Sequence, residues 1–218
     1  MTDGPVIPPP AGQKNIVARV RDILMKPNEE WGVIDAEPST IASIFTTYVL
    51  ILAAIGPIAI VIGQQLIGIN YGGITWKPSI TYSIGTAVIT YVLSLVVVYV
   101  AALIIDALAP NFNGTKDPVK AFKVSAYTAT AGWVAAIFNI IPMLGILALL
   151  GSLYGLYLLF LGLPRLMRVP ADKAVAYTLV VILIQIVLYV VVALVVGVLV
   201  VNILMAGATV PGMSTYRY

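Results

Sequence analysis

The chain has 218 residues, 61% of them hydrophobic and 10% charged, with a net charge of +3 and a mean hydropathy of +1.03. Soluble domains carry about 25% charged residues, and a water-soluble surface needs more polar cover than this composition supplies, so lipid is the expected solvent. Cysteine and histidine are absent, which excludes disulfides, thiol nucleophiles, Ser-His-Asp triads and the commonest zinc sites. The basic residues flank apolar runs and form no nucleic-acid-binding stripe.

Met1–Gly12 is Pro-rich and polar and is read as a disordered tail, residues 1–12. It shows no basic region followed by an apolar core, the mark of a secretory signal. Residues 13–40 are read as a cytosolic amphipathic helix and a connector. In Gln13–Lys26 the apolar residues Ile16, Val17, Val20, Ile23 and Leu24 fall at helical spacing. Lys14, Arg19, Arg21 and Lys26 are then available to the polar side, and Pro27 stops the helix. Such a helix lies on an anionic leaflet or packs on the protein's own cytosolic loops. A polar connector from Pro27 to Thr40 follows, with Ser39 or Thr40 placed to cap the first span.

A span needs roughly 20 apolar residues. Five segments meet this need: Ile41–Leu66, interrupted by Gly56-Pro57; Ile80–Leu108; Asp117–Ile140, opened by an Asp-Pro cap signature; Leu144–Leu163, divided from the previous one at Pro142; and Asp172–Leu204. The expected fold is therefore all-α, a polytopic bundle of about five transmembrane helices over residues 41–204. Residues 205–218 are read as an extracytoplasmic tail. All but Lys77 and Arg217 of the twelve basic residues then share one face. The positive-inside rule makes that face cytosolic, with the amino terminus inside and the carboxyl terminus periplasmic or lumenal.

Three stretches carry a family resemblance. Ahead of the first span stands ILMKPNEEWGVIDAEPS, with Pro27, Trp31 and Glu37-Pro38-Ser39. The second span ends in LIIDALAPNFNGTKDPVKAFKVSAYT, with Asp106, Pro110, Asp117, Lys120 and Tyr127. The fourth ends in LGSLYGLYLLFLGLPRLMRVPADKAVAYT, with Tyr154, Tyr157, Gly162-Leu163-Pro164, Pro170, Lys173 and Tyr177. In this order and at these spacings, the stretch from Leu24 to Tyr177 resembles the Yip1-domain family in its shorter prokaryotic form. The resemblance implies five spans and a cytosolic amino terminus. Eukaryotic members are linked to vesicle traffic and contact Rab-type GTPases. This chain has Ala36-Glu37-Pro38-Ser39-Thr40 where those members carry Asp-Leu-Tyr-Gly-Pro, which points away from GTPase binding and toward a bacterial inner-membrane relative.

Candidate positions follow from the cost of polar groups in lipid. Asp106 is the acidic residue nearest a span interior; it serves ion pairing, with Lys120, Lys123 or Arg168, or a proton or cation role. Pro57 breaks a hydrogen-bond ladder, for packing or to expose carbonyls. Asn139 and Gln185, with Gln64, Gln65 and Asn202, are amides that cross-link helices, and Gln185 should face another helix. Gly151 and Gly155 form a GxxxG pattern, for packing inside the monomer or for a homodimer. Tyr154 and Tyr157 pack in the core or line a polar groove; Asp117, Tyr127 and Pro142 complete the set of functional or packing positions, with Lys14, Arg19, Arg21 and Lys26 as membrane-surface residues. No paired carboxylates, metal-ligand cluster, P-loop or GxSxG stands in the sequence. The resulting reading is a non-enzymatic, cofactor-free integral membrane protein of a bacterial inner membrane. It organises the bilayer or protein partners, with anionic lipids at its cytosolic face and a homo-oligomer as a further possibility. The alternatives are a small transporter or channel with an intramembrane polar site, or a lipid-scrambling or bilayer-shaping protein.

Overall fold

In lipid, long apolar runs satisfy their backbone groups only by forming helices or closed barrels. This chain is helical through nearly all of them. The computed structural model describes residues 14–71 and 74–207; the tail expected over residues 1–12 lies outside them, as does most of the one expected over 205–218.

Two short helices precede the bundle. α1 (Ile16–Met25) is opened by Asn15, whose side chain accepts from the Ala18 backbone N–H at 2.8 Å. α2 (Pro27–Ala36) begins directly afterwards. The sequence reading made Pro27 the end of a helix and the start of a connector. Pro27 instead occupies the first turn of a new helix, where its missing N–H costs nothing and Glu29 and Glu30 meet the positive end of the helix dipole.

α3 (Ile41–Leu66) starts with a capping box in which Thr40 and Ser43 each bond the other's backbone at 3.1 Å. A π-helical turn occupies Phe45–Val49. The helix breaks at Ala54, one turn ahead of Pro57, because Pro57 has no N–H to offer the Ala53 carbonyl. Two short antiparallel strands follow, β1 (Ile69–Tyr71) and β2 (Ile74–Trp76), with Asn70 opposite Thr75. Then come α4 (Ile80–Leu108), α5 (Pro118–Ala135), α6 (Gly145–Leu166) and α7 (Ala171–Gly207). Asp117 caps α5 by accepting from the Val119 and Lys120 backbone N–H groups, both at 3.0 Å.

Among the described residues, four helices are long and apolar enough to cross a membrane: Ile41–Leu66, Ile80–Phe112, Pro142–Leu166 and Ala171–Leu199. α5 is not among them. Every residue from 121 to 128 is buried, including Lys123, Ser125, Tyr127 and Thr128. α5 is the central helix, packed against α3, α4 and α6, so protein rather than lipid is its solvent.

Cross-links define the two ends of the bundle. The Lys123 amine donates to the Ile34 carbonyl at 2.7 Å, and the Thr115 N–H donates to the Met167 carbonyl at 2.7 Å. α1, α2, the α4–α5 loop and the α6–α7 loop thus share one end. Ion pairs there join Asp35 to both Lys120 and Arg168 at 2.9 Å. The core is densest at this end, where Trp31, Phe122, Leu163, Leu166, Met167 and Tyr177 are all within 1% of full burial. At the other end α7 stands apart, with only 6% of its most apolar window buried inside the protein.

Candidate functional site

Two features of the helical end and interior combine geometry with chemistry. The first is the junction of α1 and α2 with the bundle. Trp31 is fully buried against Gly162 of α6, where a Cβ would collide with the indole ring. Its ring meets Tyr127 edge-on at 6.5 Å, and Tyr48 meets the same tyrosine at 4.8 Å. The Arg19 guanidinium lies over the Tyr127 ring at 5.5 Å. Arg19 is only 3% exposed; it pairs with Glu30 at 2.5 Å and with Glu37. Lys14 adds bonds to Glu30 at 2.6 Å and Asp22 at 2.9 Å. The bond to Glu30 holds the Lys14 amine above its ordinary pKa. Lys14, then Arg21, holds the Asp22 carboxyl below its own.

This arrangement corrects the reading of Arg19 as a membrane-surface cation. Arg19 is an interior residue, because two carboxylates and an aromatic face compensate its charge better than a headgroup layer could reach it. Lys14 is committed to Asp22 and Glu30. Arg21 and Lys26 remain outward, with side-chain exposures of 70% and 66%. The Tyr154 hydroxyl donates to the Leu24 carbonyl at 2.8 Å, and the Arg165 guanidinium donates to the Asn28 carbonyl at 2.9 Å. α6 therefore holds both short helices by their backbones.

The second feature is a cavity of about 560 Å³ between α3, α4, α5, α6 and α7. Ala, Val, Ile, Leu and Gly residues and Trp133 make up its apolar walls. Polar groups interrupt them: Thr90, Ser94, Ser125, Thr128, Asn139, Ser152, Gln185 and Tyr189. Among the described residues, no charged side chain lines it. Pro57 and Gly155 lie in its wall, so Pro57, Asn139, Gly155 and Gln185 converge on one space.

The Yip1 domain matches residues 21–194. The chain belongs to the Yip1 domain family. Similar proteins include the inner membrane protein YohC of Escherichia coli strain K12, 29% identical over 166 residues that cover 74% of this chain and 85% of YohC. The YohC of Escherichia coli O6:H1 strain CFT073 matches with the same identity and coverage. No solved structure matches the chain.

The remaining sequence candidates lie elsewhere in this Yip1-domain protein. Asp106 is 7% exposed and does not line the cavity. Its partner is Lys116 at 4.0 Å, while its Oδ1 is buried without a hydrogen bond. The three partners expected from the sequence are engaged elsewhere: Lys120 and Arg168 by Asp35, and Lys123 by the Ile34 and Glu37 carbonyls. Gly151 packs on Ala135 and Gly155 on the Thr128 carbonyl, so both glycines of the GxxxG pattern face α5. Gln65 donates to the Ser83 hydroxyl at 2.9 Å, joining α3 to α4. Tyr157 is 44% exposed and tilts on Tyr154, and Pro142 is exposed in the α5–α6 turn. The side chain of Asn202 lies outside the described residues. Sequence reasoning missed Glu30, Glu37 and Thr128. The hydroxyl- and small-residue run SAYTATAG was the available signal that α5 is walled by protein.

Removing one partner of a buried ion pair costs about 3–5 kcal/mol. Arg19→Met should therefore destabilise the junction by about that much, and Arg19→Met with Glu30→Gln and Glu37→Gln should recover most of it. Thermal unfolding in detergent, followed with proteolysis of the α1–α2 segment, checks this. Equal stability of the single variant and the parent protein would refute the buried network.

Proposed function

We propose that this protein is a non-enzymatic component of a bacterial inner membrane that docks protein partners on its cytosolic cap of α1 and α2. The observation that carries this reading is the set of buried contacts that attach the cap to the bundle. Trp31, Arg19, Tyr154 and Arg165 lock two short helices whose outer side remains open. That outer side presents Val17 at 74% and Met25 at 77% exposure, with Arg21 one helical turn from each. Preorganised surfaces with apolar anchors and flanking charge suit partner binding, because little entropy is lost on contact. The inner-membrane assignment draws on the YohC relatives.

The same reading takes α5 as a fifth span, with the amino terminus cytosolic and the carboxyl terminus periplasmic. In its support, α5 runs 18 residues, about 27 Å at 1.5 Å per residue, close to the thickness of a hydrocarbon core. The cap, the loop residues Lys116 and Arg168, and Lys120 and Arg165 at the adjoining helix ends also share one end. Reporter fusions at the two termini should report opposite compartments; the same compartment for both would remove the fifth span. For the cap, cross-linking in native membranes with full-length Val17→Asp and Met25→Asp variants should lose the partners captured by the parent protein. An unchanged set of cross-linked partners would end the docking reading.

A second reading, lipid scrambling or transport, rests on the cavity. Its uncharged lining and the distance of Asp106 from it favour a lipid over an ion as cargo. Reconstitution with labelled lipid decides it: flux no greater than that of empty vesicles rejects this reading.

A further inference from the structure

Hydroxyl groups inside membrane helices normally hydrogen-bond a carbonyl one turn back, and this bundle follows the habit. Thr86 donates to Tyr82, Thr90 to Thr86, Ser152 to Ala148 and Thr178 to Ala174, at 2.8–3.0 Å. Ser94 donates to Tyr91 and Ser125 across to Val98 of α4, both at 2.7 Å. Thr128 departs from it. Its side chain is 7% exposed, its Oγ1 has no hydrogen-bond partner, and it borders the cavity. A hydroxyl left unpaired in such a place is costly, unless something in the cavity accepts its hydrogen bond. Asn139 and Gln185 bring two carboxamides to the same space.

Depth identifies the phase from which an occupant would come. Thr128 lies ten residues beyond Pro118 and Gln185 fourteen beyond Ala171, about 15 and 21 Å along their helices at 1.5 Å per residue. Gln185 is the midpoint of the apolar span Ala171–Leu199, which puts this side of the cavity at the depth of the acyl chains. The volume of about 560 Å³ falls within the roughly 300–1,000 Å³ of small-molecule sites. With no charge in the lining, an ion or a phosphate headgroup would meet a large desolvation cost. The unspent donors call instead for a carbonyl oxygen on an apolar body.

We propose that this cavity binds an uncharged, carbonyl-bearing lipid of the bilayer interior, held by hydrogen bonds from Thr128 and Gln185 and by contact with Trp133. Two membrane sources share that chemistry, a prenylated quinone and a diacylglycerol. Trp133 reports on either one. A single-isoprene benzoquinone, titrated into the full chain in micelles, should quench tryptophan fluorescence saturably, and Trp133→Phe should abolish the saturable part. Thr128→Val and Gln185→Leu should each raise the half-saturation concentration roughly fivefold, the size of one lost hydrogen bond. Thr128→Val is nearly isosteric, and both variants are first checked for the parent's elution volume.

Dioleoylglycerol that restores the quenched signal at lower mole fraction than the quinone needs would assign the site to glycerides. Failure to restore it would assign the site to quinones. Linear, unsaturable quenching that is the same in all variants overturns the proposal. Displacement by squalene as effective as by dioleoylglycerol overturns the carbonyl recognition, since squalene offers no acceptor.

Discussion

A helix surrounded by other helices is released from the demand that lipid makes on its neighbours. α5 has that position, and both features of this protein with chemical content depend on it. Toward the cap, α5 supplies Lys123, whose ammonium is received by two carbonyls at the end of α2, and Tyr127, on which Trp31, Tyr48 and Arg19 converge. Toward the bilayer interior, it supplies Ser125, Thr128 and Ala129 to the cavity wall. None of these polar groups could face acyl chains without large cost. The two regions therefore rest on the same two turns of one helix.

The charge chemistry of the cap is of the kind that fixes arrangement more than it adds stability. Replacing a buried ion pair by apolar residues is often neutral or stabilising, whereas leaving one member unpaired is costly. Arg19 with Glu30 and Glu37 selects one register of α1 against α2 and the start of α3, since a helix rotated by one residue would strand three charges. Gly162 sets the second constraint, because only a residue without a side chain lets the indole of Trp31 lie against α6. Polar register and steric fit specify the same docked position, which is the consistency expected of a unique structure.

Much of the architecture was legible because the demand of lipid is written in composition. Four apolar helices coincide with runs readable residue by residue, and the Asp117-Pro118 and Thr40 starts use capping chemistry that is local in sequence. Legibility failed where partners are distant. Arg19 reads as a surface cation on a helical wheel, because the carboxylates that bury it lie 11 and 18 residues later on other elements. Pro27 carries opposite meanings at the two ends of a helix, and only the first turn containing Glu29 and Glu30 distinguished them. Lys116, not the expected cations, reached Asp106, since those cations were already bound to α2 or the segment after it. The cavity could be anticipated only in part: Pro57 and Gln185 stand out in apolar sequence, but Thr128 becomes unusual only when its bonding is compared with that of the other Ser and Thr hydroxyls inside the helical bundle.

α7 extends over 37 residues, about 55 Å at 1.5 Å per residue, nearly twice the thickness of a hydrocarbon core. Little protein braces it beyond its first turns, yet Gln185 and Tyr189 on this helix complete the cavity. One side of that compartment is consequently supported by the surrounding acyl chains, and its width becomes a property of the host bilayer as well as of the polypeptide. Solubilisation exchanges that support for a detergent belt, so chain length of the amphiphile belongs among the variables of any binding measurement on this molecule.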